Sequence, residues 1–276
     1  MSVALKVFSK NRPAQLDLLL RSLTVNAPDL FSRIEVLWHC EAGPMEEGYE
    51  RCIGLHYRNK KITFTAQTIF RMEVEMLMDE TKEEFVAFGM DDCVFYRPLP
   101  TEATAIDFDG SLMCFSLRLG LNTLACYPLQ APQGFGVPAV EAKDGIVTWD
   151  WAKASHDLAY PGSMDFHVFA KADVWPALAE YDWSDSPNQI EEALVAHCRE
   201  LAEERPRMAS FAESCVVGVP ANRVSQTHLS NRMEGREDET PEALNERFLA
   251  GGRLSLATVD AAKVDGAHVG FPLVWE

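Results

Sequence analysis

Positive charge is scarce in this sequence: 25 Lys and Arg stand against 42 Asp and Glu, a formal net charge of −17. A surface of that sign repels a polyanion, so no broad nucleic-acid face is expected. A small anionic ligand stays open, because a metal ion or a few arginines reverse the potential locally. Cysteine carries no pattern. Cys40, Cys52, Cys93, Cys114, Cys126, Cys198 and Cys215 are scattered without a Cys-x-x-Cys pair, which argues against a disulfide framework or a thiolate zinc site. Most read as small buried apolar residues. No run approaches the ~18 uncharged apolar residues of a membrane span, and the opening residues lack a leader pattern, so a cytoplasmic protein is expected. Repeats and low-complexity blocks are missing as well. What is present in quantity is apolar: 47% of 276 residues, enough to bury one large core.

The first ninety-odd residues alternate between strand and helix patterns, the signature of a sheet with parallel strands and helical crossovers. Residues 3–8 form a β-branched apolar run. Pro13 then opens a helix with Leu16, Leu19, Leu20 and Leu23 on one face. Residues 34–38 give a second strand, with a short helix over 46–53. Residues 62–64 give a third strand, and Ile69, Met72, Met76 and Leu77 read as the apolar stripe of the next helix. Residues 85–88 are continuously apolar, as a central strand covered on both faces must be.

That strand runs into Gly89-Met90-Asp91-Asp92-Cys93-Val94-Phe95, so two acids stand at its carboxyl end, the edge where open α/β sheets bind ligands. Adjacent carboxylates between buried segments repel each other unless a cation neutralises them. Hard divalent ions, Mg²⁺ or Mn²⁺, suit carboxylate oxygens and keep positions open for phosphate.

Beyond residue 100 the pattern changes to short strands (111–117, 145–148) and a Gly/Pro-containing loop over 127–140. Ser186-Pro187-Asn188-Gln189 reads as a capping box, followed by an apolar face of Ile190, Leu194, Cys198 and Leu201, with His197 placed in the core. Another strand is expected over 215–219, a mobile polar loop over 231–239, and a helix from Thr240-Pro241 to Gly251-Gly252, before an apolar tail. Trp149-Asp150-Trp151, His156-Asp157 and the segment from Tyr160 to Asp165 mix aromatics, acids and a Gly turn, a mixture suited to sugar faces and hydroxyls.

Over its first hundred residues the sequence resembles the GT-A glycosyltransferases, particularly those of family 2. The resemblance rests on the turn Ser9-Lys10-Asn11-Arg12-Pro13, the leucine-rich helix after it, Gln67-Thr68-Ile69-Phe70-Arg71 at a later helix start, and the hydrophobic strand ending in Asp91-Asp92. It implies an α/β fold, a Rossmann-like nucleotide-binding mixed sheet flanked by helices. Residues 1–100 would be the nucleotide-sugar-binding half, and 101–276 the acceptor-side half and C-terminal extension of the same domain. Its implied activity is metal-dependent transfer of a sugar, from a UDP-sugar by default, to a glycan or other hydroxyl acceptor. Ser9 and Arg12 would line the nucleotide, Glu41 would meet base or ribose, Arg71 would lie near the diphosphate, Asp91 would face ribose or sugar, and Asp92 would hold Mn²⁺ or Mg²⁺. The motif is not a full Asp-x-Asp, which leaves the division between the two acids open. His228 is the expected further metal ligand, with His268 second; Arg223 and Arg232 flank His228 and would neutralise leaving diphosphate. The general base is expected at Glu191, with Glu192 and Asp165 as the other candidates. A nucleotidyltransferase is the enzymatic alternative, although the turn after the first strand lacks the glycines of a phosphate loop. A GT-A-like domain that binds nucleotide or glycan without turnover is the non-catalytic one.

Overall fold

The computed structural model describes residues 2–100, 108–136, 141–224 and 232–276. In chain order the elements are β1 (Val3–Lys10), α1 (Pro13–Asn26), β2 (Phe31–His39), α2 (Pro44–His56), β3 (Ile62–Ala66), α3 (Phe70–Asp79), β4 (Phe85–Met90) and β5 (Cys93–Phe95). The second half adds β6 (Leu112–Ser116), β7 (Ala125–Cys126), β8 (Ala131–Pro132), β9 (Glu141–Lys143), β10 (Ile146–Asp150), β11 (His167–Ala170), α4 (Lys171–Glu180), α5 (Pro187–Glu200), β12 (Arg207–Phe211), β13 (Val216–Gly218) and α6 (Pro241–Leu249).

Nine of these strands join one sheet in the order β3-β2-β1-β4-β11-β6-β12-β10-β9. The first four run parallel, whereas β11 runs antiparallel to both β4 and β6. Both halves of the chain therefore share a single sheet. Its faces carry separate cores: α1, α2 and α6 lie over Leu5, Val7 and Ala87, while α3, α4 and α5 lie over Phe8, Phe88 and Phe169. Covered on both sides, β1 is buried from Val3 to Ser9, and each apolar side chain so buried is worth about 1.5–3 kcal/mol. Lys6 is buried there too, because its ammonium meets the Glu35 carboxylate, the Leu77 carbonyl at 2.8 Å and the Thr81 hydroxyl at 2.5 Å.

Three expectations change. The buried stripe of α3 is Phe70, Val74, Leu77 and Met78, while Ile69, Met72 and Met76 are exposed. Both sets have helical spacing, and the packing of Phe70 against Trp183 and Phe8 selects the first. At α5 the Ser186 side chain makes no cap bond. Gln189 instead accepts from the Ser184 and Asp185 amides at 2.8 and 3.1 Å, and thereby caps the helix from the opposite direction. The segment read as a mobile loop is pinned over its described part, residues 232–239: Arg236 pairs with Glu234 and Glu239 and donates to the Gly270 and Phe271 carbonyls. Residue 231 and the 137–140 end of the Gly/Pro loop lie outside the described residues.

Gly89, in β4, has no room for a side chain. A Cβ there would stand 2.5 Å from the Phe166 ring, so Gly89→Ala should destabilise the fold by about 1–3 kcal/mol in a urea melt.

Candidate functional site

The carboxyl ends of β1, β2, β3 and β4 and the amino end of the reversed strand β11 meet at one edge of the sheet. Asn11 turns the chain after β1 with φ 52°, a left-handed conformation that asparagine tolerates, and its amide oxygen accepts from the Glu41 amide at 2.9 Å. The turn brings Arg12 back over the edge. One guanidinium nitrogen, Nη1, donates to Asp91 Oδ1 at 3.0 Å and to Asp92 Oδ2 at 3.1 Å. The rest of the fork is held by Asn222, with Nε on its Oδ1 at 2.8 Å and Nη2 on its carbonyl at 2.5 Å. Arg12 is buried. The cation that the adjacent acids require is thus supplied by the chain itself.

The two acids differ in what remains open. Asp91 is buried, and its second oxygen accepts from the Ser9 hydroxyl at 2.9 Å and the Lys10 amide at 3.2 Å. Ser9 spends its proton there, so the Tyr49 hydroxyl, 2.6 Å away, donates to Ser9. Burial, resisted by Arg12, pushes Asp91 up to about 6. Asp92 leaves 19% of its side chain exposed and gives Arg12 a single oxygen. Mg²⁺ or Mn²⁺ on a nucleotide is held chiefly by phosphate and water with one or two carboxylates, and Asp92 fits as such a ligand. No group of three His, Cys, Asp or Glu side chains closes a metal cage among the described residues. His228 lies outside them.

Beside Asp92 a second cluster forms around Arg118, which follows β6 and is buried. Its Nη1 donates to Asp165 Oδ2 at 2.8 Å, and Asp157 faces it at 3.9 Å. His268 Nε2 is 3.2 Å from the same Asp165 oxygen, and Cys93 Sγ is 4.0 Å from the other. Burial opposes ionisation of Asp165, but His268 and Arg118 together hold it down at about 2. For His268 the balance is mirrored: burial disfavours its charge, and Asp165 wins and raises it. Phe166, the next residue, is buried with φ 59°. A bulky side chain in the left-handed region stores roughly 1–3 kcal/mol of strain, and here that turn aims Asp165 at Cys93.

Glu191, one turn into α5, closes this cluster. Its Oε1 accepts from the Met164 amide at 3.2 Å. Burial, then the neighbouring Asp165, raise it to about 7 against the pull of Arg118. Asp165 and Glu191 therefore share one Arg118 but ionise far apart, a pairing that separates a fixed charge from a proton acceptor.

On the other side of Asp91, a hollow of about 230 Å³ lies at the ends of β2 and β3, lined by Trp38, Cys40, Glu46 and Gln67 among others. Trp38 stacks on Tyr49 at 4.7 Å between centroids, so the hollow is joined to Asp91 through Tyr49 and Ser9. Glu41 is exposed, and Glu46 stands in the wall instead. Arg71 stays with Glu75, at 2.8 Å, and with Trp183, on whose ring it sits and to whose carbonyl it donates at 2.9 Å. The tryptophans read as sugar platforms are core residues: the Trp149 and Trp151 indoles are buried and donate to the Leu158 and Arg205 carbonyls. His197 is only partly covered, 3.7 Å from Glu200. Arg232 lies over the Tyr127 ring. Asn222 and Arg118 escaped the sequence reading, since neither stands in a local motif.

No protein-family model matches the sequence, and no curated protein matches it. Solved structures do share its fold. TarS 1–349 of S. aureus in complex with UDP superposes with a TM-score of 0.52 at 12% identity, over 78% of this chain and 59% of that one. The same protein in complex with UDP-GlcNAc gives 0.51 at 13%, over 84% and 62%. A longer TarS structure gives 0.50 at 11%, over 78% and 36%. The chain thus spans less than two thirds of each of these structures. Across so distant a likeness it is the architecture that is shared, and the chain has the GT-A glycosyltransferase fold.

Proposed function

We propose that this protein is a glycosyltransferase that moves a sugar from a nucleotide-sugar, a UDP-sugar by default, to an acceptor hydroxyl. The observation that carries the reading is the arrangement along one sheet edge: a base-sized hollow, the Arg12-locked Asp91-Asp92 pair, and a carboxylate, Glu191, poised near neutrality. The UDP and UDP-GlcNAc complexes of the structurally similar TarS support the choice of donor.

In this reading Trp38 and Glu46 receive the base, while Ser9 and Asp91, buried and bonded to each other, hold the turn beneath the ribose rather than touching it. Asp92 would hold a divalent cation, which when bound supplies Lewis-acid charge to the diphosphate. Glu191 takes the proton of the acceptor hydroxyl as its oxygen attacks the anomeric carbon. A C–O bond forms on one face of the sugar while the bond from that carbon to the diphosphate oxygen breaks on the other, and the nucleoside diphosphate leaves. Asp165, held ionised, stabilises the positive charge that develops on the sugar.

Thermal-shift and calorimetric titrations with UDP, with and without Mn²⁺, followed by UDP-sugar hydrolysis, test the reading. UDP should stabilise the protein more in Mn²⁺ than in EDTA, and Asp92→Asn should erase that difference while the metal-free shift survives. Stabilisation with no hydrolysis or transfer would favour a binding module. No response to UDP or to any other nucleoside diphosphate would overturn sugar transfer altogether.

A further inference from the structure

The sheet ends at β3, which has β2 on one side and, among the described residues, no strand on the other. The Lys61 carbonyl accepts from the Ile34 amide at 2.7 Å, and the Gln67 amide donates to the Trp38 carbonyl at 2.7 Å. Since a parallel strand pairs through every second residue, the odd-numbered residues of β3 turn their backbone groups towards β2. Ile62, Phe64 and Ala66 turn theirs outward. The Ile62 amide is met by the Asn59 carbonyl at 3.0 Å, which leaves the Ile62 carbonyl and both groups of Phe64 and of Ala66 without a strand to pair with.

Such an edge accepts a further strand unless charge, proline or a bulge blunts it. β3 has none of these. It reads Ile62-Thr63-Phe64-Thr65-Ala66, its register with β2 is unbroken, and Thr63 and Ala66 are exposed while Phe64 and Thr65 are half-buried.

Charge selects the strand that fits. The turn before β3, Tyr57-Arg58-Asn59-Lys60-Lys61, holds three cations and no acid. Lys61 is 3.8 Å from the exposed Asp29, whereas Arg58 donates to the Tyr57 hydroxyl at 3.0 Å and Lys60 is exposed, neither of them in an ion pair among the described residues. Asp79 and Glu80, at the end of α3, lie further in, where the Glu80 carbonyl meets Arg33 of β2. The other end of β3 has the opposite sign. Glu46 shares the wall of the hollow with Ala66 and Gln67, and Glu41 and Glu47 are exposed beside it. The exposed Lys10 offsets one of these acids, and Arg71 is taken by Glu75.

We propose that two copies of this chain join β3 to β3 about a two-fold axis, so that the sheet continues from one molecule into the other. A two-fold that pairs one edge with itself sets the strands antiparallel. Phe64 then exchanges both backbone bonds with Phe64 of the second copy, each Ala66 amide donates to the opposite Ile62 carbonyl, and Thr63 faces Thr65 across the join. The same operation lays the basic turn of each copy against Glu41, Glu46 and Glu47 of the other. A parallel pairing would set like charges together instead. Each basic turn thus stands at the rim of the other copy's hollow, where the chain's own charge is negative.

Analytical ultracentrifugation of the full chain over a concentration series, with hydrogen exchange of the segment 62–66, tests this. The protein should reach twice the chain mass, and exchange of the Phe64 and Ala66 amides should slow as it does. Ala66→Pro removes an outward amide that β2 does not use, so it should weaken association at least about tenfold with the circular dichroism spectrum unchanged. A chain carrying Arg58→Glu and Lys60→Glu should sediment as a monomer, and so should one carrying Glu41→Lys, Glu46→Lys and Glu47→Lys. Mixed, these two variants should pair, because each presents the charge that the other has lost. A wild type that stays monomeric, a dimer untouched by Ala66→Pro, a dimer whose segment 62–66 exchanges as fast as in the monomer, or charge variants that stay apart on mixing would each overturn the proposal. None of these outcomes depends on the sugar-transfer reading.

Discussion

Arg12→Ala should lower the unfolding free energy by about 3–5 kcal/mol, read as a fall in the urea midpoint at unchanged slope, and should remove UDP binding with it. The size follows from what the guanidinium leaves behind. Asp91 is buried and Asp92 mostly so, and without Arg12 two carboxylates one residue apart have no counter-charge. Removing one member of a buried pair strands the other, which is far costlier than breaking a surface pair worth at most about 1 kcal/mol. Adding Asp91→Asn to Arg12→Ala should return a good part of the loss, because the stranded charge is then gone. Arg12→Lys should fall between the two, since a point charge cannot hold Asp91, Asp92 and Asn222 at once. A loss no larger than that of a surface pair would show that Arg12 is incidental to the acids.

Glu191→Gln should reduce turnover by about 10²–10⁴-fold, the contribution of a positioned general base, while UDP binding stays as it was. The wild-type kcat/KM should climb with pH and level off above about 7, where Glu191 is ionised. The variant should lose that inflection. Stability should move the other way. A folded pKa raised from 4.5 to about 7 means that the native state holds its proton longer than the unfolded chain does, so this residue costs stability as pH rises through that window. Glu191→Gln should therefore melt above the wild type at pH 8, with the advantage gone below about pH 4.5. A variant that is inactive and less stable at pH 8 would mark Glu191 as a packing residue. An active variant would pass the base role to Asp165, although Arg118 and His268 hold that carboxyl at about 2, a poor proton acceptor at neutral pH.

The parallel half of the fold was readable because β1 and β4 are covered on both faces and so appear as unbroken apolar runs ending in a marked turn and in Asp91-Asp92. The need of those acids for a cation was readable too. Its identity in the free protein was not, since Arg12 reaches them only when held by Asn222, 210 positions away, and no local pattern records that. The α3 stripe failed for a related reason: Met72 and Met76 share helical spacing with Phe70 and Val74, and only the location of Trp183 separates the faces. The second half of the chain was the least visible. Its strands are short, and β11 is reversed, so its start rather than its end lies at the ligand edge. Residues preceding a strand, here Asp165, then stand where a sequence argument places residues following one.

The grip of Asn222 on Arg12 also bears on how the molecule is made. A chain emerging in order completes β1, α1 and β4 long before residue 222 exists, and until then Asp91 and Asp92 stand together without their clamp. Contacts so distant in sequence are paid for late, after much loop-closure entropy. The edge that carries Asp91 and Asp92 and the C-terminal half should accordingly become protected against hydrogen exchange in the same kinetic step.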